Sequence, residues 1–513
     1  LMFLMFGIAV VAQERTVSGT VTDQDAVPLP GATVAVKGTS RGVQTDFDGK
    51  YTIRASVGEV LMYSYLGQKT AERTVRVSGT IDVRMQEDAT ALEEVVVVAY
   101  GTQEKRAIVG SVATVGTEII EKQQLASVMT AIQGSVPGVN IIAAGGQPGD
   151  NPTIRIRGVG SINASADPLI IVDGAPFNGN INTISADQIE SINVLKDASS
   201  TALYGSRGAN GVILITTRRG KFNAPVRIGF TSSVGFADQA VRFHDLLDAD
   251  TYMPYLWEAL RNTNQYVGGE DAALAGQNAS DDLVTTLGYN PYNIPNPVDA
   301  NGNLVSSNKL WDTDWADVLF NSAALRMEHG LTISGGSDNT TYFLSANYLS
   351  QEGTITTSYF DRITTRINVD TNVNNWLSVG LNAFYSTSEQ NYPTQSGGAF
   401  QSATQWVFTI PSIYPIYRRD EAGQLILDGF GNPIYDYGNN AGQLVNGVRP
   451  ALGGENALGA LYNYDILNNR TNFTANTYAQ INFTDNLSFK TQLAYEKYLF
   501  DSFEYVSSEV GYA

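Results

Sequence analysis

Residues 340–369 read TTYFLSANYLSQEGTITTSYFDRITTRINV and contain two segments in which apolar and polar side chains alternate. In the second segment Ile363, Ile367 and Val369 fall on one face, whereas Arg362 and Arg366 fall on the other. Alternation with a period of two is typical of a β-strand with two different faces. The same pattern recurs in five more segments, at 226–231, 331–336, 377–385, 473–482 and 487–496.

Two architectures would explain these strands. In a soluble sandwich the apolar face packs on a second sheet, whereas in an outer-membrane barrel it faces lipid and the polar face lines the lumen. The runs are about 9–13 residues long, above the usual strand length of about 5–6 and sufficient to cross a membrane when tilted. Aromatic residues near strand ends suit interfacial girdles: Tyr348, Trp376, Tyr385, Phe483 and Tyr498. The pattern therefore favours a barrel, with long loops at 237–325 and 389–469.

Composition excludes several other classes. The chain has 513 residues, no cysteine, 51 acidic against 32 basic residues, and a formal net charge of −19. Without cysteine there is no disulfide scaffold or thiolate metal centre, and the acid excess argues against nucleic-acid binding. The two histidines, His244 and His329, are too few for a histidine-based metal site or triad. We expect a protein that is not an enzyme and has no metal or cofactor.

The N-terminal region predicts an exported protein. Residues 1–13, LMFLMFGIAVVAQ, are apolar up to Ala12 and too short to span a membrane, which fits part of a signal peptide. Residues 15–87 predict a small all-β domain. Within it, 45–51 (TDFDGKY) predicts a hairpin turn rather than a calcium loop, because the acidic ligands that such a loop needs are missing.

A tether follows at 88–106, with LEEVVVVAYG at its centre (92–101). Four consecutive valines favour an extended conformation. This segment is either an ordinary buried strand or a strand that pairs with the sheet edge of another protein. Composition does not distinguish the two.

Residues 107–222 predict a mixed α/β domain. Leu125, Val128, Met129 and Ile132 occupy one face of a short helix that Pro137-Gly138 ends. Strand-like runs follow at 153–158, 169–174 and 212–217.

This order of segments resembles the SusC-type TonB-dependent outer-membrane transporters. VSGTVTD, PLPGATVAVKGT and TDFDGKYTI look like the carboxypeptidase-regulatory-like extension of that family, and LEEVVVVAYGTQEK resembles its TonB box and linker. IRIRGVGSIN, PLIIVDGAP and IESINVLKDASSTALYGSRGANGVILITTRRGK look like its plug domain, and LTISGGSDNTTYFLSANYLSQEG matches an early barrel hairpin. One departure is Ala99, where the family usually has Gly.

The resemblance implies a mainly β fold with a β-sandwich extension (15–87), a TonB box and linker (88–106), an α/β plug (107–222) and the first part of a transmembrane antiparallel β-barrel (223–513). It implies active import of a glycan or oligopeptide through the outer membrane. The expected partners are TonB with ExbB and ExbD, a SusD-like surface lipoprotein and outer-membrane lipid. The extension and TonB box would be periplasmic, and the TonB-binding residues would be Glu93, Glu94, Val95, Val96, Val97, Val98, Ala99 and Tyr100.

Within the plug-like region we expect Arg157 and Arg218 or Arg219 to form ion pairs with the barrel wall, although simple solvation explains them nearly as well. Asp173-Gly174 is expected to form a turn. The residues that carry the plug resemblance are Arg155, Gly158, Asp173, Gly174, Tyr204, Gly205, Arg207, Gly208, Asn210 and Gly211.

Length gives a further expectation. The residues from 223 onward hold seven clear strands, whereas a plugged transporter has about 22. We therefore expect an N-terminal part of a longer protein. Two rival functions stay open, namely a TonB-dependent receptor for a siderophore, haem or cobalamin, and a secreted β-rich adhesin or carbohydrate-binding protein.

Overall fold

The computed structural model divides the chain into two compact units, Leu1–Val109 and Gly110–Ala513, which are described in turn. The residues described are 15–24, 26–39, 41–65, 68–76, 79–86, 95–98, 101–104, 112–117, 127–143, 145–161, 163, 165–393, 402–439, 448–484 and 486–507. The predicted signal segment 1–13 and the TonB-box positions Glu93, Glu94, Ala99 and Tyr100 lie outside them, as does Leu125. Among the described residues, no helix combines the length and apolarity needed to cross a membrane.

The first unit contains two small sheets packed around one core. Its strands are β1 (Arg15–Thr22), β2 (Thr33–Val36), β3 (Gly42–Gln44), β4 (Lys50–Ala55), β5 (Val60–Ser64), β6 (Ala71–Thr74) and β7 (Val83–Arg84). They form a three-stranded sheet, β4-β1-β7, and a four-stranded sheet, β3-β2-β5-β6. In the core, the hydroxyls of Tyr51 and Tyr63 lie 2.7 Å apart. The predicted turn before β4 is confirmed, since Gly49 has a positive φ of 72° and Asp46 N–H donates to the carbonyl of Lys50.

The valine segment forms a hairpin of its own in this unit. Strand β8 (Val95–Val98) pairs antiparallel with β9 (Gly101–Glu104), so that Val95 lies opposite Glu104 and Val98 opposite Gly101.

The second unit begins with a mixed α/β domain. Its elements are β10 (Val112–Gly116), α1 (Val128–Ala131), β11 (Val139–Ile142), β12 (Thr153–Ile156), β13 (Leu169–Val172), β14 (Ala175–Pro176), β15 (Ile189–Leu195), α2 (Ala198–Thr201) and β16 (Val212–Thr217). Strands β10-β15-β16-β13-β14 make one sheet, and β11 with β12 makes a hairpin. The predicted helix is present but short. Val128, Met129 and Ile132 are buried because they pack against the sheet.

A sheet of seven long antiparallel strands follows, each paired with the next along the chain. We call it the long sheet. Its strands, with the helices of the connections, are β17 (Arg227–Ala237), α3 (Ala249–Asn262), α4 (Ala272–Leu287), α5 (Trp315–Leu319), β18 (Ala324–Gly336), β19 (Thr340–Glu352), β20 (Tyr359–Asn372), β21 (Leu377–Asn391), α6 (Ala403–Thr409), α7 (Ala457–Asn463), β22 (Tyr464–Thr484) and β23 (Leu487–Val506). The last two strands have 21 and 20 residues, longer than their alternating segments predicted, because pairing continues through the polar stretches on both sides of the predicted runs.

On strands β19 to β21, the polar face of the long sheet is buried and the apolar face is exposed, the reverse of the order in a soluble sheet, whereas β17 and β23 are exposed on both faces. On β20, Arg362, Thr364 and Arg366 are 2%, 0% and 3% exposed, whereas the apolar Ile363 and Ile367 between them are 47% and 44% exposed. The polar face is buried because the mixed α/β domain packs against it.

The predicted loops at 237–325 and 389–469 are not merely loops. They contain α3 to α7, whose apolar sides form a core of their own around Met253, Trp257, Leu283, Trp315 and Trp406. We call this part the helical subdomain. The interpretation as loops was wrong because Asn, Gly and Tyr between the helices obscured their apolar spacing, in which Met253 and Trp257 lie four residues apart on α3.

Candidate functional site

The contact between the mixed α/β domain and the polar face of the long sheet is rich in buried polar and charged side chains. We call this contact the seam. Strand β20 contributes a side chain at every second position: Arg362, Thr364, Arg366, Asn368 and Asp370. A strand places alternate residues on one face, so five residues of one short segment reach the domain together.

Asp173 is the most connected residue of the seam. It occupies the turn after β13 with a positive φ of 48°, followed by Gly174 with φ 83°, which confirms the predicted turn. Its Oδ1 accepts from the Thr217 amide at 3.0 Å and its Oδ2 from the Thr217 hydroxyl at 2.7 Å. Arg366 Nη1 lies 3.5 Å from the same Oδ2. The backbone carbonyl of Asp173 accepts from Asn476 Nδ2 at 2.9 Å. One turn is thus tied to two strands of the long sheet.

Arg366 is held on three sides. Besides its pair with Asp173, its Nε lies 3.4 Å from Gln188 Oε1, and its guanidinium lies 4.7 Å from the centre of the Phe384 ring. Gln188 Nε2 in turn donates to Thr364 Oγ1 at 2.9 Å. A buried arginine needs several such partners because burial without them is strongly unfavourable.

Next to Gln188, the carboxylate of Asp187 is buried, and within the described residues neither of its oxygens makes a hydrogen bond of good geometry; its nearest hydroxyl is that of Ser185. Burial is the largest influence and raises the pKa of Asp187, whereas the nearby Ser185 hydroxyl lowers it; Glu328 raises it further, and Arg362 and Arg218 lower it. Arg362 itself donates from Nη1 to the carbonyl of Asn182 at 2.6 Å. Asp187 is therefore a buried carboxylate of the seam whose surroundings compensate its charge incompletely.

A second group of contacts involves β23. The carboxylate of Glu496 accepts from the backbone N–H groups of Asn178 and Gly179 at 3.0 and 3.2 Å, and from Asn178 Nδ2 at 2.8 Å. A cavity of about 260 Å³ lies beside it and is lined by Asp173, Arg207 and Arg366, among others. These residues give the cavity charges of both signs.

The predicted arginines differ in where they point. Arg219 Nη1 lies 3.1 Å from both carboxylate oxygens of Asp370 on the long sheet. Arg218 donates from Nε to the carbonyl of Ile189 within its own domain, but its backbone carbonyl accepts from Asn368 Nδ2 at 2.7 Å. Arg157 pairs with Asp197 of the same domain, and within the described residues the structure gives it no contact with the long sheet.

The other residues that carried the resemblance serve mainly to shape the mixed domain. Arg155 pairs with Asp167 at 2.5 Å, and Arg207 donates to Asn178 Oδ1 at 3.3 Å. Asn210 Nδ2 donates to the carbonyl of Ser165 at 2.9 Å. Gly158, Gly205 and Gly211 have positive φ, Gly208 lies against the backbone of Thr201, and Tyr204 packs partly buried against the sheet.

Sequence reasoning missed the seam residues of the long sheet, above all Asp370 and Glu496. It placed Arg362 and Arg366 on the polar face but gave them no role. The sequence did carry a signal for this contact. A strand with charged residues on one face and apolar residues on the other needs partners for those charges if the charged face is buried.

Among the described residues, no group of three or more His, Cys, Asp or Glu side chains could hold a metal ion. The seam is a polar contact between the mixed α/β domain and the long sheet, made of hydrogen bonds and ion pairs.

Comparison with protein families gives two matches. Residues 17–97 match the CarboxypepD_reg-like domain, and residues 104–212 match the TonB-dependent Receptor Plug Domain.

Comparison with individual proteins extends the similarity to most of the chain. The TonB-dependent receptor P3 of Formosa agariphila is 34% identical over 496 residues, which cover 96% of this chain and 43% of that protein. The TonB-dependent receptor SusC of Bacteroides thetaiotaomicron is 31% identical over 455 residues, which cover 85% of this chain and 40% of that protein. The chain thus spans about two fifths of the length of these relatives.

Among solved structures, the RagAB peptide importer in its open-open state matches with a TM-score of 0.58 and 27% identity. The match covers 79% of this chain and 42% of that one.

Proposed function

Because the chain belongs to the SusC-type TonB-dependent receptors, we propose that it serves in TonB-dependent import of a large nutrient, a glycan or an oligopeptide, across the outer membrane. In this proposal it is a transporter and not an enzyme. The mixed α/β domain is the plug (107–222), the long sheet belongs to the barrel wall (223–513), and residues 15–87 with the tether 88–106 are periplasmic, after a signal segment at 1–13.

The observation that carries the proposal is the reversed burial of the long sheet. Ile363 and Ile367 point away from the protein and are 47% and 44% exposed, whereas Thr364 and Arg366 between them are 0% and 3% exposed. An apolar outer face is unfavourable in water but suited to lipid, and a polar inner face suits a lumen that is filled by a plug. The same burial argues against the rival adhesin, whose sheets would bury their apolar faces.

The seam supports a plug that can rearrange. Its contacts are hydrogen bonds and ion pairs, such as Arg219 with Asp370 and Glu496 with the amides of Asn178 and Gly179. Water can replace polar contacts at little enthalpic loss, whereas separating an apolar interface exposes it to water. In our proposal, substrate bound outside shifts the plug and makes the tether available to TonB.

TonB, driven through ExbB and ExbD, would then pair with the valine strand β8 and pull. Backbone pairing over Val95–Val98 provides several hydrogen bonds that bear load together without a catalytic group. A SusD-like lipoprotein would cover the outer opening. A siderophore receptor is the alternative, and the ferric enterobactin receptor of Pseudomonas aeruginosa is 32% identical, but over only 26% of this chain.

The test is a proline substitution in β8, compared with an alanine substitution at the same position. Val96→Pro removes a backbone donor and should abolish both capture by the purified periplasmic domain of TonB and energised uptake of a fluorescein-labelled peptide digest or oligosaccharide mixture. Val96→Ala keeps the amide and should retain both. Binding of the labelled mixtures to unenergised cells should survive in both variants.

Unimpaired capture and uptake in Val96→Pro would contradict the role of the tether. A second measurement tests the barrel. The full-length protein should migrate differently on a detergent gel before and after heating, and identical migration together with solubility without detergent would overturn the membrane assignment.

A further inference from the structure

One loop of the mixed α/β domain, residues 147–150, is held by side chains and backbone at the end of strand β21. We call this loop the latch. Gln390 Nε2 donates to the carbonyl of Pro148 at 2.7 Å, and Gln147 Nε2 donates to the carbonyl of Pro393 at 2.9 Å. The side chain of Gln390 is only 1% exposed. The latch is therefore bonded to the long sheet from both sides, away from the Arg366–Asp173 pair.

The shape of the latch leaves it little freedom to adapt. Pro148 and Gly149 are both buried, and Gly149 has a positive φ of 77°. A Cβ added at Gly149 would lie 2.4 Å from the ring of Phe360, so the backbone itself lies against that ring. Proline fixes its own φ, and close-packed contacts change between discrete arrangements rather than deforming continuously. The latch is thus either seated or withdrawn.

Behind the latch lies Asn182, which ties it to the seam. Asn182 is 1% exposed, and its Nδ2 donates to the carbonyls of Gly149 at 3.0 Å and Asp150 at 2.7 Å. Its own carbonyl accepts from Arg362 Nη1 at 2.6 Å. Withdrawal of the latch would take the acceptors away from two buried amide groups, those of Asn182 and Gln390, so the seated state is favoured.

The latch also touches the segment that carries the helical subdomain. This segment is the turn between β19 and β20, residues 353–358. Asn321, just after α5, donates from its backbone N–H to the carbonyl of Thr354 at 2.8 Å and from Nδ2 to the carbonyl of Gly353 at 2.9 Å. On the other side of the turn, a Cβ added at Gly353 would lie 3.0 Å from Pro148 Cδ. The turn is thus in contact with both the helical subdomain and the latch.

We propose that the latch couples the helical subdomain to the mixed α/β domain. A displacement of the helical subdomain that moves the turn 353–358 unseats the latch, and an unseated latch loosens the mixed domain through Asn182. The coupling itself needs only the contacts described above. Its consequence in transport, that material bound by the helical subdomain frees the plug, rests on the proposed function.

The test is amide hydrogen exchange of the protein in detergent micelles, measured at Thr183 and Ile184. Both amides donate hydrogen bonds in the turn that contains Asn182. Gln390→Met removes a donor to the latch and should accelerate their exchange about tenfold. Asn321→Ala removes a bond between the helical subdomain and the turn 353–358, yet it should accelerate the same amides in the mixed domain. The double variant should exceed the faster single variant by less than about twofold, because a latch already withdrawn is not withdrawn again.

Two control variants match these changes. Gln480→Met removes a donor that bonds to Asn482 Oδ1 on its own strand, and Asn308→Ala removes an exposed amide of the helical subdomain. Both should leave exchange at the reporter amides unchanged. Gln147→Met removes the other latch donor at a less buried position, and the same acceleration is expected of it if Gln390→Met does not fold.

Normal exchange at the reporter amides in Asn321→Ala would overturn the coupling, because the latch would then be a local anchor without a link to the helical subdomain. Multiplied effects of the two single changes in the double variant would overturn it as well. The assay contains neither TonB nor substrate, so its outcome and that of the Val96→Pro experiment are independent of each other.

Discussion

Arg366 Nη1 lies 3.5 Å from Asp173 Oδ2, and the two side chains are each only 3% exposed. This pair joins a strand of the long sheet to a turn of the mixed α/β domain. Because Thr217 donates twice to the same carboxylate, the pair belongs to a network rather than standing alone. Removing either side chain would leave the charge of the other one buried without its partner.

We expect Arg366→Gln and Asp173→Asn each to destabilise the docking of the mixed domain by about 3–5 kcal/mol, the usual effect of breaking a buried pair. The double variant should be less damaging than the sum of the two, because both charges are then absent. Amide hydrogen exchange of β16 in each variant would give these free energies. As a control, Arg157→Gln removes the exposed pair with Asp197 and should change stability by no more than about 1 kcal/mol. Full additivity of the two single effects would show that Arg366 and Asp173 are not energetically coupled.

Asp187 gives a pH dependence of defined sign. Burial raises its pKa in the folded protein, so the folded state favours the protonated form. Its contribution to stability is therefore most favourable below the unfolded pKa of about 3.9, and is lost as the pH rises through the higher folded pKa. Asp187→Asn should be more stable than the parent protein at neutral pH, by about 1.4 kcal/mol for each unit of the pKa shift. Urea unfolding in micelles between pH 4 and 8 would measure this.

The control for Asp187 is Glu190→Gln, three residues away and exposed. It should leave the pH profile unchanged. If Asp187→Asn were instead less stable than the parent at neutral pH, its carboxylate would be paired with Arg362 or Arg218 strongly enough to outweigh burial.

Alanine substitutions at two glycines of the mixed domain would distinguish the cost of backbone strain from the cost of close packing. Gly149 and Gly134 have nearly the same φ, 77° and 74°. A Cβ added at Gly149 would lie 2.4 Å from the buried ring of Phe360 on β20, whereas one at Gly134 would meet nothing within 4 Å. Gly134→Ala should therefore cost about 1–2 kcal/mol of strain, and Gly149→Ala about 1–3 kcal/mol more. Urea unfolding of the two variants would compare them directly, and equal losses would refute close packing at Gly149.

Sequence patterns revealed the strands of the long sheet, because alternation is a local property. They did not reveal the partners of Arg362 and Arg366, since these lie 178 to 193 residues away in the chain and depend on how the mixed domain docks on the long sheet. The helices of the subdomain were missed although their starts carried a local signal. Asp248 and Asp271 each precede a helix and accept hydrogen bonds from its first amides. The four valines predicted an extended segment at β8, but their composition does not show which strand it pairs with, so the hairpin of β8 with β9 was missed.

Glu496 offers a local test of the seam. Its carboxylate accepts from the amides of Asn178 and Gly179, whereas Glu504 on the same strand accepts from the hydroxyl of Tyr464 and, among the described residues, makes no hydrogen bond to the mixed domain. Glu496→Gln replaces one acceptor oxygen by a donor, so a hydrogen bond worth about 1–3 kcal/mol is lost. Hydrogen exchange at the amides of Asn178 and Gly179 should accelerate about tenfold or more, since 1.4 kcal/mol corresponds to a factor of ten. Glu504→Gln should leave exchange at both amides unchanged. Acceleration in the Glu504 variant as well would mean that the whole strand had moved, and unchanged exchange in Glu496→Gln would show that this carboxylate does not hold the domain in place.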